Sequence, residues 1–505
     1  MTGATPGALC QDRALTTRRT RNHPCWMLRP RALLGFLCVG AVAAVFACGG
    51  DDDGGDRPDA RPIGDDLAGA LGELPHVVSV EERIPSFEGY RYFYIGFDQP
   101  VNHDDPDGQH FTQYLTLTHI DQHAPLILGT TGYGNYYGDF PMEPTLLLSG
   151  NQIIIEHRYF EPSRPDPTDW SFLRVAESAA DHHEIAESFH SIYDGRWIST
   201  GGSKGGMTSI YHRHLYPDDV DGTVAYVAPY NQAAGDTRYD AWFDDVLPAD
   251  CLQRVRDAQV DLLENRREGL VELATAQAED DGLVYSRVTI PAAVESAVAG
   301  IEWSFFQYTG VSGCEDIPGP SATDEEAFAW LVAINPPDSE SDDQLAFFEP
   351  YYYQAYAELG FPTTTDPHLE GLLQFGPEDY AGTEPPEIPE YDPSEVDAAA
   401  EWVRTDGDQL LFLYGEFDPW TAGAFDLGSN DGATRYTVAQ GTHQSALVDL
   451  PQDEQDAAFA LLEDWSGVAP TIAPLAALWR FARPREPRPP LHAFAMARRA
   501  RAERR

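Results

Sequence analysis

The run Thr200-Gly201-Gly202-Ser203-Lys204-Gly205-Gly206-Met207 sets a serine in a G-x-S-x-G frame. A short apolar segment, Arg196 to Thr200, precedes it and a helical one, Met207 to Tyr216, follows. On a strand–turn–helix of this kind the serine occupies a strained turn that pushes its hydroxyl into an open cleft. Small flanking residues let that turn close. The first N–H groups of the helix then lie where an oxyanion would form. A serine hydroxyl is a weak nucleophile, so it needs a base, and the base needs an orienting acid.

With such an elbow on a parallel sheet, the partners follow in the order Ser, Asp or Glu, His, each on a loop after a strand. The sequence supplies both. Asp418 lies in Gly415-Glu416-Phe417-Asp418-Pro419-Trp420, directly after the apolar run 409–415. His443 lies in Gln440-Gly441-Thr442-His443-Gln444, after the run 434–439. Glu416 competes for the acid role but sits closer to its strand. The oxyanion is expected to take the backbone N–H of Lys204 and a second N–H, from Tyr133 or Gly134, in Thr130-Thr131-Gly132-Tyr133-Gly134. Lys204 is the only lysine in the chain. Its side chain is read equally as a working group or as a solvated charge beside the cleft.

These loops need a sheet to carry them. Tyr90 to Gln99 and Gln109 to Ile120 alternate as an antiparallel pair, while 125–129, 152–156 and 222–229 are short apolar runs suited to buried parallel strands. Amphipathic helical stretches lie between them, which predicts an α/β fold with helices on both sheet faces. Residues 231–400 lose that rhythm, turning acidic, helical and aromatic, and are expected to form a helical cap. The sheet domain is thus assigned to 77–230 and 401–468 and the cap to 231–400.

The ends read differently. Within 1–48, Met27-Leu28-Arg29-Pro30-Arg31 opens a positive segment, followed by the apolar run Ala32 to Ala47 and then Cys48. That run is too short to span a bilayer but suits an export signal, and the cysteine fits a lipidation site. Met27 is the expected start. Residues 49–76 are Gly-, Asp- and Pro-rich at first and are taken as a flexible acidic tether. The Arg- and Pro-rich stretch 469–505 carries no core pattern and is expected to be disordered.

A formal net charge of −49 in 505 residues argues against nucleic acid or an anionic lipid surface as partner. Membrane contact is expected only through lipid on Cys48, and nothing in the sequence sets an oligomeric state. Asp181-His182-His183-Glu184 with His190 lacks metal-site spacing, since Glu187 stands where H-E-x-x-H would need histidine. No metal and no cofactor is expected. Four of the six cysteines fall at or before Cys48, leaving Cys251 and Cys314 as a disulfide within the cap.

The elbow and its continuation, Tyr211-His212-Arg213 and Tyr216-Pro217-Asp218-Asp219-Val220-Asp221-Gly222-Thr223-Val224-Ala225-Tyr226-Val227-Ala228-Pro229, resemble the prolyl tri/tetrapeptidyl aminopeptidase family of secreted bacterial serine peptidases. Glu156-His157-Arg158-Tyr159-Phe160, Trp303-Ser304-Phe305-Phe306-Gln307-Tyr308 and Pro350-Tyr351-Tyr352-Tyr353-Gln354-Ala355 are similar to family segments too. The resemblance covers roughly 77–467. It implies an α/β-hydrolase with a helical cap, Ser203, Asp418 and His443 as the triad, and release of short peptides from free amino termini, often after proline. Such an exopeptidase needs a carboxylate for the substrate ammonium, and Glu156, Glu302 and Glu349 are the candidates. A lipase or esterase on the same fold, or an inactive surface-binding lipoprotein, are the rival readings.

Overall fold

The computed structural model describes residues 66–472, 487–493 and 495–497. The leader, Cys48 and most of the tether lie outside the described residues.

One nine-stranded sheet runs through the molecule: β1 (Val77–Arg83), β2 (Arg91–Pro100), β3 (His110–His119), β4 (Leu126–Thr130), β5 (Asn151–Ile155), β6 (Trp197–Gly202), β7 (Gly222–Tyr226), β8 (Leu410–Gly415) and β9 (Ala433–Val438). Its spatial order is β1-β2-β3-β5-β4-β6-β7-β8-β9. The β1–β2, β2–β3 and β3–β5 pairs are antiparallel; from β5 to β9 every pair is parallel. The expected antiparallel pair and the buried parallel strands are therefore both present, and the less apolar β9 takes the edge.

Alternation along the central strands divides the core in two. Leu126, Leu128 and Trp197 point to one face, where they meet Ile185, Ala186 and Phe189 of a helix. Ile127 and Ile198 point to the other and meet Leu146, Leu462 and Trp465. Such a period of two, buried on both sides, is what covers a parallel sheet with two helical layers. Of the sheet helices, α1 (Leu67–Gly72), α3 (Val175–His190) and α4 (Lys204–Leu215) share the first face, and α2 (Glu143–Leu148) lies on the second.

The chain leaves the sheet after β7 and returns at β8. Between them come α5 (Arg238–Val246), α6 (Ala249–Asn265), α7 (Arg267–Asp281), α8 (Ile290–Ala299), α9 (Ile301–Ser304), α10 (Asp324–Ile334), α11 (Asp342–Gln354) and α12 (Ser394–Thr405). The first seven form the cap. By contrast, α12 joins α4 on the first sheet face through Val396, Ala399 and Val403, and α13 (Gln452–Ser466) packs on the second. Cys251 of α6 is disulfide-bonded to Cys314, with Cα atoms 5.6 Å apart.

Three boundaries move, the first being the cap's end, which falls before α12 and not at residue 400. The tether ends before residue 66, because Leu67, Leu71 and Leu74 recur at helical spacing and bury against the sheet. Asp66 caps that helix by accepting from the Gly69 N–H (2.9 Å). The expected disorder of 469–505 also does not hold for its described part. Residues 487–493 and 495–497 pack against the cap, with Ala493 and Ala497 buried among its aromatic side chains. Among the described residues no helix is long and apolar enough to cross a membrane.

Candidate active site

Ser203 stands between β6 and α4 at φ 55°, ψ −124°, a left-handed conformation costly for a non-glycine residue. The turn is held from both sides. Ser203 N–H donates to the Tyr226 carbonyl (2.9 Å), and the Ser203 carbonyl accepts from Met207 N–H (3.0 Å). The glycines that close it do so by lacking a side chain. A Cβ on Gly201 would lie 2.4 Å from Gly205, and one on Gly205 would lie 2.3 Å from the Thr130 carbonyl oxygen. Gly202 has open space around its Cα, so only the outer two glycines of the motif are sterically demanded.

The loop after β4 lies directly on this turn. A Cβ at Gly132, whose φ is 72°, would sit 2.7 Å from the Lys204 carbonyl carbon and 2.8 Å from the Gly205 nitrogen. Tyr133 is buried and lines the same cavity as Ser203. Its N–H donates to Thr131 Oγ1 across a long 3.3 Å. The Lys204 N–H is in the first turn of α4, where helix donors have no intrahelical acceptor. Two backbone donors thus flank the serine.

Lys204 is not the solvated charge that composition allowed. It is buried, and its ammonium donates to the Gly132 carbonyl at 2.6 Å and faces the rings of Tyr133 and Phe160 at 5.7 and 5.8 Å. Burial lowers its pKa to about 7, with Glu358 pulling the other way. Glu358 is itself raised to about 7 by burial. The lysine next to the serine therefore fastens the loop that carries the second donor.

Asp418 and His443 come together where β8 and β9 end. Asp418 Oδ2 holds His443 Nδ1 at 2.6 Å, with Asp418 fully buried and His443 6% exposed. Asp418 Oδ1 accepts from the Trp420 N–H (3.2 Å), which fixes the carboxylate plane. Glu416 is occupied elsewhere: its carboxylate accepts from the Gln440 N–H at 2.7 Å and ties the β8 and β9 loops to each other. Gly201, Gly202 and His443 line one recess, Ser203 opens onto the larger cavity beside it, and Tyr308 lines both.

The cap reaches down to the histidine through a feature the sequence does not reveal. Helix α9 widens into a π-helical turn over Phe305–Thr309, closed by Gly310 N–H to the Phe305 carbonyl (2.8 Å). That turn exposes the Gln307 carbonyl, which accepts the backbone N–H of His443 at 2.8 Å. Tyr308 then stands edge-on to the imidazole, ring centres 5.9 Å apart. An extra residue in a helical turn often marks a functional position.

Of the three carboxylates expected to meet a substrate ammonium, one lines the Ser203 cavity. Glu302 does so, paired with Arg256 at 2.9 and 3.1 Å, its carboxyl raised by burial and held back by that guanidinium. Asp240, Asp244 and Asp366 line it as well, and the sequence did not single them out. Glu156 is instead a buckle. It accepts from Ser163 N–H (3.1 Å), Ser163 Oγ (2.7 Å) and Asn135 N–H (3.1 Å), and burial lifts its carboxyl to about 7. Glu349 pairs with Arg287 at 2.7 Å outside the cavity. Within the Asp181–Glu184 run Arg158 bonds both oxygens of Asp181 at 2.7 Å, and His183 bonds Asp219 at 3.0 Å, with Glu187 near enough for the three to bring ligand atoms within 4.8 Å of one another.

A strained serine at a strand-to-helix turn, two donors beside it and a buried Asp–His pair on later loops belong to hydrolases of the α/β type. The sequence profile of PS-10 peptidase S37 matches residues 60–484. The chain belongs to that family. As an S37 peptidase it is a serine peptidase, and it is 36% identical over 415 residues to prolyl tri/tetrapeptidyl aminopeptidase of Streptomyces mobaraensis, covering 80% of this chain and 86% of that one. Among solved structures it is similar to proline iminopeptidase of Mycobacterium smegmatis at 14% identity and TM-score 0.32, covering 76% of this chain and 99% of that one. It is also similar to an α/β hydrolase fold protein from Nakamurella multipartita at 15% identity and TM-score 0.30, covering 77% and 100%.

Proposed function

We propose that this S37 peptidase is an exported serine exopeptidase. It would release tripeptides and tetrapeptides, and also dipeptides, from free amino termini, with a preference for proline before the cut. The observation that supports the chemistry is the 2.6 Å Asp418–His443 bond, with His443 lining a recess together with Gly201 and Gly202 of the elbow. In this reading His443 Nε2 takes the proton of Ser203 as the hydroxyl attacks the scissile carbonyl, while Asp418 holds the imidazole in the required tautomer. The N–H groups of Lys204 and Tyr133 receive the oxyanion. The imidazolium returns its proton to the departing amine, leaving an acyl-enzyme that water clears with His443 again as base.

The choice of a peptide with a free amine rests on the cavity wall. Glu302, Asp240, Asp244 and Asp366 face the same space as Ser203, against the guanidinium of Arg256. The carboxylates of this wall outnumber its guanidiniums, those of Arg256 and Arg488, which favours an ammonium over an uncharged acyl ester. Trp303, Tyr308 and Trp420 supply an apolar wall fit for a proline ring. Export, with lipid on Cys48, is supported by the signal-like run that ends there.

Mass spectrometry of products from a mixed peptide library tests this, with amino-acetylated copies as controls. Short amino-terminal fragments from free peptides alone are expected. Equal cleavage of blocked peptides, or faster turnover of simple acyl esters, would remove the exopeptidase reading.

A further inference from the structure

The substrate cavity is not empty of protein. Residues 487–492 of the C-terminal stretch line it together with Ser203, Pro487 to Pro490 without regular secondary structure and the chain turning helical from Leu491. The contact is made by specific groups. The Arg488 guanidinium stacks on the Tyr308 ring at 3.9 Å, and its Nη1 donates to the Ile334 carbonyl at 3.1 Å. Tyr308 is the residue that stands against His443. Further along, His492 Nδ1 lies 4.0 Å from the Asp366 carboxylate, and Ala493 and Ala497 are buried in the aromatic cluster that contains Tyr133. The segment thus touches the histidine's neighbour, the acidic wall and the cluster behind the oxyanion loop at once.

Charge and composition fit the same picture. Between residues 480 and 505 there are nine arginines and two acidic residues, in a chain of net charge −49. A basic segment is drawn to an acidic cavity, and a guanidinium over an aromatic ring gains most where water is excluded. The stretch Pro487-Arg488-Pro489-Pro490 also has the proline-rich, extended character expected of a peptide ligand here, with little conformational entropy left to lose. With the segment in place the remaining space is about 250 Å³. Ligand clefts usually offer roughly 300–1,000 Å³.

We propose that Tyr308 and the Ile334 carbonyl form a guanidinium site for basic, proline-rich peptides, and that the chain's own 487–493 segment fills it and holds the peptidase closed. Displacing that segment opens the cleft. The inference rests on the peptidase reading of the cavity, so its test includes a readout that needs no turnover.

Arg488→Glu in the full chain replaces the stacked cation by an anion facing the acidic wall. It is expected to raise kcat/KM on amino-free prolyl peptides about tenfold and to speed fluorophosphonate labelling of Ser203 by a similar factor. A synthetic peptide with the sequence of residues 483–498 is expected to inhibit this variant competitively. Calorimetry should show the same peptide binding to the Ser203→Ala, Arg488→Glu chain, and a copy with glutamate at the Arg488 position failing to bind. Binding without any turnover would leave the site intact and sink only the peptidase assignment. Labelling unchanged within twofold, together with no heat of peptide binding to a chain that melts as cooperatively as the parent, would overturn the proposal.

Discussion

Replacing Lys204 by methionine separates what the lysine does for the fold from what it does for the site. Its pKa of about 7 lies some three and a half units below the unfolded value of 10.5. The unfolded chain therefore binds a proton that the folded chain resists between pH 7 and 10.5, so stability contributed by this position rises with pH over that window and is lost as pH falls. At about 1.4 kcal/mol per unit, burying the group costs about 4–5 kcal/mol at pH 7 and about 1–2 kcal/mol at pH 9.5. Against that, Met leaves the Gly132 carbonyl without the 2.6 Å ammonium bond, a loss of about 1–3 kcal/mol. Lys204→Met is thus expected to be more stable than the parent by about 1–4 kcal/mol near pH 7, and that advantage should shrink by about 3 kcal/mol by pH 9.5. Activity should go the other way. With the Gly132 loop unfastened, the Tyr133 donor drifts, and kcat/KM is expected to fall roughly ten- to a hundredfold through kcat. Urea unfolding at the two pH values and steady-state kinetics at pH 7 check both arms. A stability difference that does not change with pH, or a variant as active as the parent, would refute the reasoning.

Other expectations follow from single contacts. Asp418→Asn keeps the shape of the pair but reverses its donor pattern at His443 Nδ1, so kcat should drop about 10⁴-fold with KM little changed; pre-steady-state kinetics would expose it. Glu302→Gln halves the charge facing Arg256 and should raise KM for amino-free peptides several-fold while leaving amino-acetylated analogues unaffected, measured on matched substrate pairs. Breaking the Cys251–Cys314 bond by Cys314→Ser opens a loop of 63 residues, and the cap should lose about 2–4 kcal/mol, read from urea unfolding in the absence of reductant.

How much of this was legible in the sequence depended on how local the cause was. The elbow and the strands are written in short-range patterns: small residues beside Ser203, alternation in β4 to β6, and loops that end strands at Asp418 and His443. Helix α1 was legible too in Leu67, Leu71 and Leu74, but the glycine- and aspartate-rich stretch before it masked the signal. The ammonium candidates could not be sorted, because whether Glu156 or Glu349 has a charge to spare depends on Ser163, Asn135 and Arg287, brought beside them only by folding. The π-helical turn at Phe305–Thr309 leaves no mark in an apolar run, since widening by one residue preserves its composition. Residues 487–493 and 495–497 have no core pattern of their own because they borrow the apolar cluster of the cap.

The central claim is that Ser203 is a nucleophile activated by His443. Treating the intact chain with a fluorophosphonate and mapping the adduct by tandem mass spectrometry tests it most directly. The account predicts one adduct on Ser203, absent from Ser203→Ala and slowed at least about a hundredfold in His443→Ala. A folded chain that stays unlabelled, or that carries the adduct on another residue, would contradict it.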